Sequence, residues 1–508
     1  MSTSQQSPPA FATPDVHAIQ GNIIGFNKDH ERLVFLRFPG QHAARTFLTA
    51  LEPSIANGYA VREFNDLYKE IRVRRGGERG IIQAAWTNIA FTQPGLEILA
   101  PSGLDAFPED FRLGMAAQAA ALGDVGASDP SAWLPPFTGL ERQVHAMVII
   151  GADDADDLAA AYTRLQEKVD AHGIVELGPP QDGQVRPDAF KGHEHFGYKD
   201  GISQPGIRGL TTSSKNPNAS IEPGEFLIGY ADEAGHVSGA PEAPEGPPPE
   251  APSSYTPPPP LPAPMPPWAK DGSFLVYRRL RQDVLGFESF TEGASAGLGL
   301  DADQLGAKLV GRWKSGAAME PVPALPAGVD PSLEDPSLHG HPQVLEDAQI
   351  NDFAYGGDPG GDKVPRAAHV RKTNPRDQAP PGQAGSDRRR ILRRGIPYGP
   401  EVERGSEQPY GGGPVPDAQD RGLLFLCYQA SISRGFAFIQ RVWVNNDNFP
   451  QGGDGHDPII SQEHEPRQFH LPGQASPTDM RQWVFTTGGD YFFSPSIPAL
   501  KQLAAGTA

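Results

Sequence analysis

Residues 32–38 read Arg32-Leu33-Val34-Phe35-Leu36-Arg37-Phe38, an apolar and β-prone run. Directly after it, Ala43 to Ile55 carries Phe47, Leu48 and Leu51 at helical spacing. His145 to Ile150 predicts another strand, and the helix after it opens on Asp153, Asp154, Asp156 and Asp157, carboxylates that suit the positive end of a helix dipole. Leu158, Ala161, Tyr162, Leu165 and Val169 share one face of that helix. The second half repeats the grammar: strand Ser273 to Leu280, helix Ala302 to Trp313, strand Gly422 to Gln429, helix Ser431 to Trp443. Strand–helix–strand units in both halves predict an α+β fold of two related modules, each a sheet with helices on one face.

The chain has 508 residues, enough for two large domains or three ordinary ones. Its 58 glycines and 54 prolines are about a fifth of the chain, short of a disordered composition. The excess therefore belongs to long loops. The clearest is Ala240 to Pro267, about half proline, which reads as an extended, polyproline-like surface excursion, with an SH3-type ligand as the alternative. A second soft region runs from Asp358 to Asp387. The formal charge of −19 repels phosphate backbones and anionic lipid, which argues against nucleic acid and membrane surfaces as partners. A single cysteine, Cys427, closes no intrachain disulfide. No stretch of about 18 apolar residues predicts a membrane span. The N-terminus as written has no signal peptide, so the expected location is cytoplasmic, with export by way of a processed leader left open.

Three segments carry chemistry. In Gly192-His193-Glu194-His195-Phe196-Gly197-Tyr198-Lys199-Asp200-Gly201-Ile202-Ser203-Gln204-Pro205, a Gly-x-x-Asp-Gly turn is crowded by Phe196, Tyr198 and Ile202. Partial desolvation is expected to raise the pKa of Asp200 and fit it for proton transfer. Two histidines two apart, His193 and His195, suit hydrogen bonding better than metal binding. In Val364-Pro365-Arg366-Ala367-Ala368-His369-Val370-Arg371-Lys372-Thr373-Asn374-Pro375-Arg376, two alanines beside His369 would admit a flat cofactor. Arg371, Lys372 and Arg376 supply cations for carboxylates such as haem propionates. In Arg388-Arg389-Arg390-Ile391-Leu392-Arg393-Arg394-Gly395-Ile396-Pro397-Tyr398, an apolar pair interrupts the arginines and implies partial burial. A buried guanidinium needs an anion, and a developing oxyanion is one candidate. Asp447 to Asp457 lacks the ligand spacing and terminal Glu of an EF-hand.

Together, in this order, these segments resemble the dye-decolorising peroxidase family, in its longer, fungal-like subgroup. Similar blocks recur at Ile19-Gln20-Gly21-Asn22, Ala307 to Gly316, Leu423 to Gln429, Gly455-His456-Asp457-Pro458 and Gly488 to Phe493, so the resemblance spans residues 19–497. The long proline-rich excursion departs from the family pattern. The resemblance implies two ferredoxin-like modules forming a dimeric α+β barrel, an N-terminal one over 15–185 and a C-terminal one over 186–508, with haem b mainly in the latter. It implies an enzyme that uses hydrogen peroxide to oxidise dyes, phenols and other aromatic reducing substrates through a high-valent iron-oxo state.

Residue by residue, the resemblance makes His369 the proximal iron ligand, Asp200 the acid–base group and Arg393 the distal cation. Arg393, not Arg394, lies two residues before the Gly395-Ile396-Pro397 turn, and alternation along a strand lets only one of the pair face the haem. Phe196, Gly201, Ile202 and Arg371 are expected around the cofactor, and Leu423 with Phe425 as an apolar pair drying the distal side. Tyr398, and more weakly Trp443, resemble surface radical positions for bulky dyes; both also fit ordinary packing. Which acid backs His369, the natural reducing substrate and the oligomeric state are left open by the sequence. The competing readings are a chlorite dismutase-like or deferrochelating haem protein and a non-enzymatic haem carrier, which would keep His369 without needing Asp200.

Overall fold

The computed structural model describes the chain apart from residues 1–12, 26–27, 76–81, 101, 188–189, 212–219, 242–246, 248–250, 262, 321–352, 379–385, 403–418, 463–466 and 475. The first half runs β1 (His30–Arg37), α1 (Gln41–Leu51), α2 (Gly58–Arg74), β2 (Ala85–Phe91), β3 (Ala146–Ala152), α3 (Ala155–Ala171), β4 (Val175–Glu176) and β5 (Gln181–Gln184). The acidic opening of α3 is also its cap: the Asp154 side chain accepts from the Asp157 N–H at 2.8 Å, and Leu158, Ala161, Leu165 and Val169 face the core. The second half contributes β6 (Ser273–Gln282), α4 (Val284–Ser295), α5 (Ala302–Val310), β7 (Leu392–Arg393), β8 (Ile396–Tyr398), β9 (Gly422–Gln429) and β10 (Val484–Ser494).

Both halves put their strands in the same spatial order. The first reads β2-β3-β1-β4 and the second β8-β9-β6-β10; with β7 and β8, which both pair with β9, counted as one interrupted strand, each places its second, third, first and fourth strands side by side. This antiparallel arrangement with crossover helices is ferredoxin-like, and its repetition makes the two halves one motif used twice. Phe493 of β10 pairs with Phe91 of β2 and joins them into one sheet. At the other edge β5, paired to β1, comes back against β8: a Cβ on Gly183 would lie 2.3 Å from Ile396 Cγ2, so only glycine allows that approach. The sheet thus curls into an α+β barrel. Every residue of β3 is buried, as expected for a strand covered on both faces.

Three expectations need adjustment. The helix from Ala302 stops at Val310, because Gly311 takes the left-handed cap position at φ 92°. The helix expected from Ser431 begins only at Phe436, whose N–H is held by Gln429 Oε1 at 2.6 Å, and continues as a wide π-type turn over Ile439–Val444. The proline-rich stretch is not a free excursion. It turns at Pro252–Tyr255, where the Tyr255 N–H donates to the Pro252 carbonyl at 2.8 Å, Tyr255 packs edge-on against Phe438 beneath Arg441, and Met265 is buried. Of the second soft region, residues 358–378 are ordered and 379–385 lie outside the described residues. No described helix is long and apolar enough to cross a membrane.

Candidate active site

His369 opens a short helical turn, His369–Lys372, directly after the buried Ala367 and Ala368. Gly311 makes room for that turn, since a Cβ there would sit 2.3 Å from Val370 Cγ2. His369 Nδ1 bonds Asp457 Oδ2 at 2.9 Å, while Asp457 Oδ1 accepts from the N–H groups of Ile459 (2.8 Å) and Ile460 (2.9 Å). Burial by itself would raise the Asp457 pKa; His369 and the two amides outweigh it and hold the carboxyl below its ordinary value. An ionised Asp457 therefore fixes the imidazole and leaves Nε2 for the cavity.

Across that cavity, Asp200 Oδ1 accepts from Arg393 Nη1 at 2.5 Å and from the Gly201 N–H at 2.7 Å. The Arg393 N–H donates to Gln204 Oε1 at 3.1 Å, a second tie between the Asp200 loop and β7. Arg394 turns the other way, its guanidinium on the carbonyls of Asn22 and Ile23 at 2.8 Å each. Alternation along the strand thus separates the pair as expected. The expected rise in the Asp200 pKa is corrected: burial acts upward, but Arg393, the Gly201 amide and His369 together bring it below the ordinary value. Asp200 is a carboxylate, not a neutral acid, at working pH.

Asp200, Arg393 and His369 line one cavity of about 250 Å³ together with Phe196, Gly201, Ile202, Leu423 and Phe425. Three of the expected site residues do not reach it. Arg371 is buried with its guanidinium on Asp358 Oδ2 (3.0 Å) and on the carbonyls of Val364 and Asp358 (2.5 and 2.7 Å), so it braces the His369 segment from behind. Tyr398 is 3% exposed, under Arg279, to which its hydroxyl is bonded at 2.9 Å; Trp443 is 1% exposed and stacks on Phe449. Neither ring lies at the surface. The other cations of the His369 segment divide similarly: Lys372 is held by the carbonyls of Asn446 and Gly455, and only Arg376 reaches the cavity. His195 is a hydrogen-bonding residue, on the Tyr398 carbonyl at 2.8 Å.

The sequence reading gave no role to Asp457, 88 residues beyond His369, or to Arg312; both sit in blocks noted only for their likeness to the family. Among the described residues six arginines line the cavity (Arg278, Arg312, Arg376, Arg389, Arg390 and Arg393) with two carboxylates, Glu194 and Asp200; Arg278 is paired with the buried Asp124 behind it. Burial and then the neighbouring cations push Arg312 down to about 9 and Arg390 to about 10. A lining so rich in crowded cations suits an anionic guest. Apolar walls, a carboxylate-backed imidazole and several guanidiniums fit an iron porphyrin with its carboxylates.

Such an arrangement is what a haem peroxidase on a duplicated α+β barrel requires. Residues 18–187 match the model of the DyP dimeric alpha+beta barrel domain, and residues 307–451 match that of the Dyp-type peroxidase C-terminal region. Peroxidase 2 of Mycetinis scorodonius is 32% identical, the match covering 98% of this chain and 90% of that one. An ancestral D-type dye decolorizing peroxidase superposes with a TM-score of 0.76 at 33% identity, over 97% of this chain and all of the other. A dye-decolorizing peroxidase in complex with 2,6-dimethoxyphenol does so at 0.73 and 32%, over 96% and 99%. The chain belongs to the dye-decolorising peroxidase family, on its fungal-like side, and is a haem-dependent peroxidase.

Proposed function

We propose that this chain holds haem b in the Asp200–His369 cavity and uses hydrogen peroxide to oxidise dyes, phenols and related aromatic substrates, with Asp200 and Arg393 as its catalytic pair. The observation that carries this reading is the Asp200–Arg393 ion pair facing a carboxylate-backed His369 across one cavity. The solved relative with 2,6-dimethoxyphenol supports phenols as a substrate class. The repeated strand order supports a division into modules over 15–185 and 186–508.

Haem bound there supplies the redox-active iron at which peroxide is cleaved and from which aromatic substrates are oxidised. His369 Nε2 would hold the iron, and Asp457 keeps the proton on Nδ1 and fixes the ring. Arg312 and Arg376 are placed to hold the porphyrin carboxylates. Asp200, already ionised, takes a proton from the nearer peroxide oxygen on its carboxylate and returns it to the departing one. Arg393 steadies that carboxylate and offers positive charge where negative charge develops. Leu423 and Phe425 exclude water from this side.

Reconstitution with haemin followed by rapid mixing with peroxide tests the reading. Asp200→Asn should slow the peroxide-dependent absorbance change by about 10²–10⁴-fold and Arg393→Leu by about 10²–10³-fold, both with haem still bound. Wild-type rates in both variants would refute the assigned pair.

A further inference from the structure

The loop that carries Asp200 has almost no regular structure, yet its course is closely determined. Glu194 Oε2 accepts from the Phe196 N–H at 2.9 Å and from Gln282 Nε2 at 2.6 Å, and Oε1 accepts from the Tyr198 N–H at 2.8 Å. The loop also closes on itself through its backbone: the Glu194 N–H donates to the Tyr198 carbonyl (3.0 Å), and the Asp200 N–H to that of Gly192 (3.0 Å). Gln282 is the last residue of β6, a strand inside the sheet. From the outside, Arg186 Nη1 grips the Glu194 carbonyl at 2.6 Å while its other nitrogens hold Glu401. One carboxylate thus gathers two loop amides and a side chain from the barrel wall, and the loop's next carboxylate inside the cavity is the one that meets Arg393.

We propose that Glu194 is a positioning residue: it clamps the 194–200 loop to β6 through Gln282 and so fixes Asp200 against Arg393. The inference rests on the reading of Asp200 as the proton-moving group. An ionised carboxylate can accept at both oxygens, whereas an amide cannot. Whichever way a glutamine at 194 turned, its NH₂ would oppose the N–H of Phe196 or of Tyr198. The charged groups facing Asp200 are Arg393, His369 and Arg312, with Glu194 itself nearby. Burial pushes the Glu194 pKa up, so where Asp200 protonates Glu194 is already neutral, and the two effects of removing it separate at neutral pH instead. Asp200 parted from Arg393 would react more slowly with peroxide, and Asp200 merely relieved of a neighbouring carboxylate would react as before.

The experiment compares the haem-loaded wild type, Glu194→Gln, Gln282→Leu and Asp200→Asn by amide hydrogen exchange over residues 193–201 and by the peroxide rate, both at neutral pH. In Glu194→Gln, exchange at the Phe196 and Tyr198 amides should speed by about tenfold or more. The peroxide rate should fall. Gln282→Leu keeps the carboxylate and should shift both readouts the same way by less. Unchanged exchange in both variants overturns the proposal, as does faster exchange with a peroxide rate that stays or rises. If Asp200→Asn reacts as fast as the wild type, the reading of Asp200 fails instead, and exchange alone judges the clamp.

Discussion

Asp457 shows what one unassigned residue does for the site. A buried carboxylate that accepts from His369 Nδ1 and two backbone amides gives the ligand nitrogen a fixed tautomer and greater basicity. Asp457→Asn removes the charge and keeps the shape, so haem should bind about 10–100-fold more weakly, as read by titrating haemin into the unloaded protein. Unchanged affinity would mean that the carboxylate does not serve the imidazole. Sequence reasoning reached His369, Asp200 and Arg393 because each sits in a compact motif with a chemical context. It could not reach Asp457 as a partner, since no local pattern connects positions so far apart. It also misjudged the direction of the Asp200 pKa, because apolar neighbours are visible in a sequence and a salt bridge from a distant strand is not.

At the scale of elements, β7 and β8 explain both a success and a failure. The two-residue strand Leu392–Arg393 sends Arg393 into the cavity and leaves Arg394 on the Asn22 and Ile23 carbonyls, an alternation the sequence already implied. Tyr398 closes β8, paired with Gly422, and burial follows from that pairing, which the residues around Tyr398 do not disclose. Its hydroxyl accepts from Arg279 and donates to Asp420 Oδ1 at 3.3 Å, the contacts of a packed side chain. Tyr398→Phe should lower unfolding stability by about 0.5–1.5 kcal/mol and leave the ratio of bulky-dye to small-phenol turnover unchanged. A selective loss of bulky-dye oxidation would restore Tyr398 as a relay. The proline-rich stretch misled in the same way: its composition suggested a free excursion and did not disclose that Tyr255 and Met265 anchor it.

Over the whole molecule, the repeated second-third-first-fourth strand order makes one barrel from two modules, and the sequence displayed that repeat as alternating strands and helices in both halves. What ties the halves electrostatically was not visible: Arg278 of β6 forms a buried ion pair with Asp124 from the first half, supported by Thr486. Asp124→Ala strands that guanidinium, and chemical denaturation should show a loss of about 3–5 kcal/mol; a loss under 1 kcal/mol would deny the pair its role. Net charge misled in a similar fashion, since −19 overall conceals six arginines around the cavity. Arg393, with the Gly201 amide and His369, sets the charge state of Asp200, on which the chemistry turns. A carboxyl held below its ordinary pKa stays ionised as pH falls, so activity persists into acid and is lost only when Asp200 finally protonates. The decisive measurement is the pH dependence of the second-order peroxide rate constant for the haem-loaded wild type and Arg393→Leu. The wild-type acid limb should lie below the ordinary carboxylate range and move to higher pH in the variant. A wild-type limb near neutrality, or one that Arg393→Leu does not move, would contradict the account.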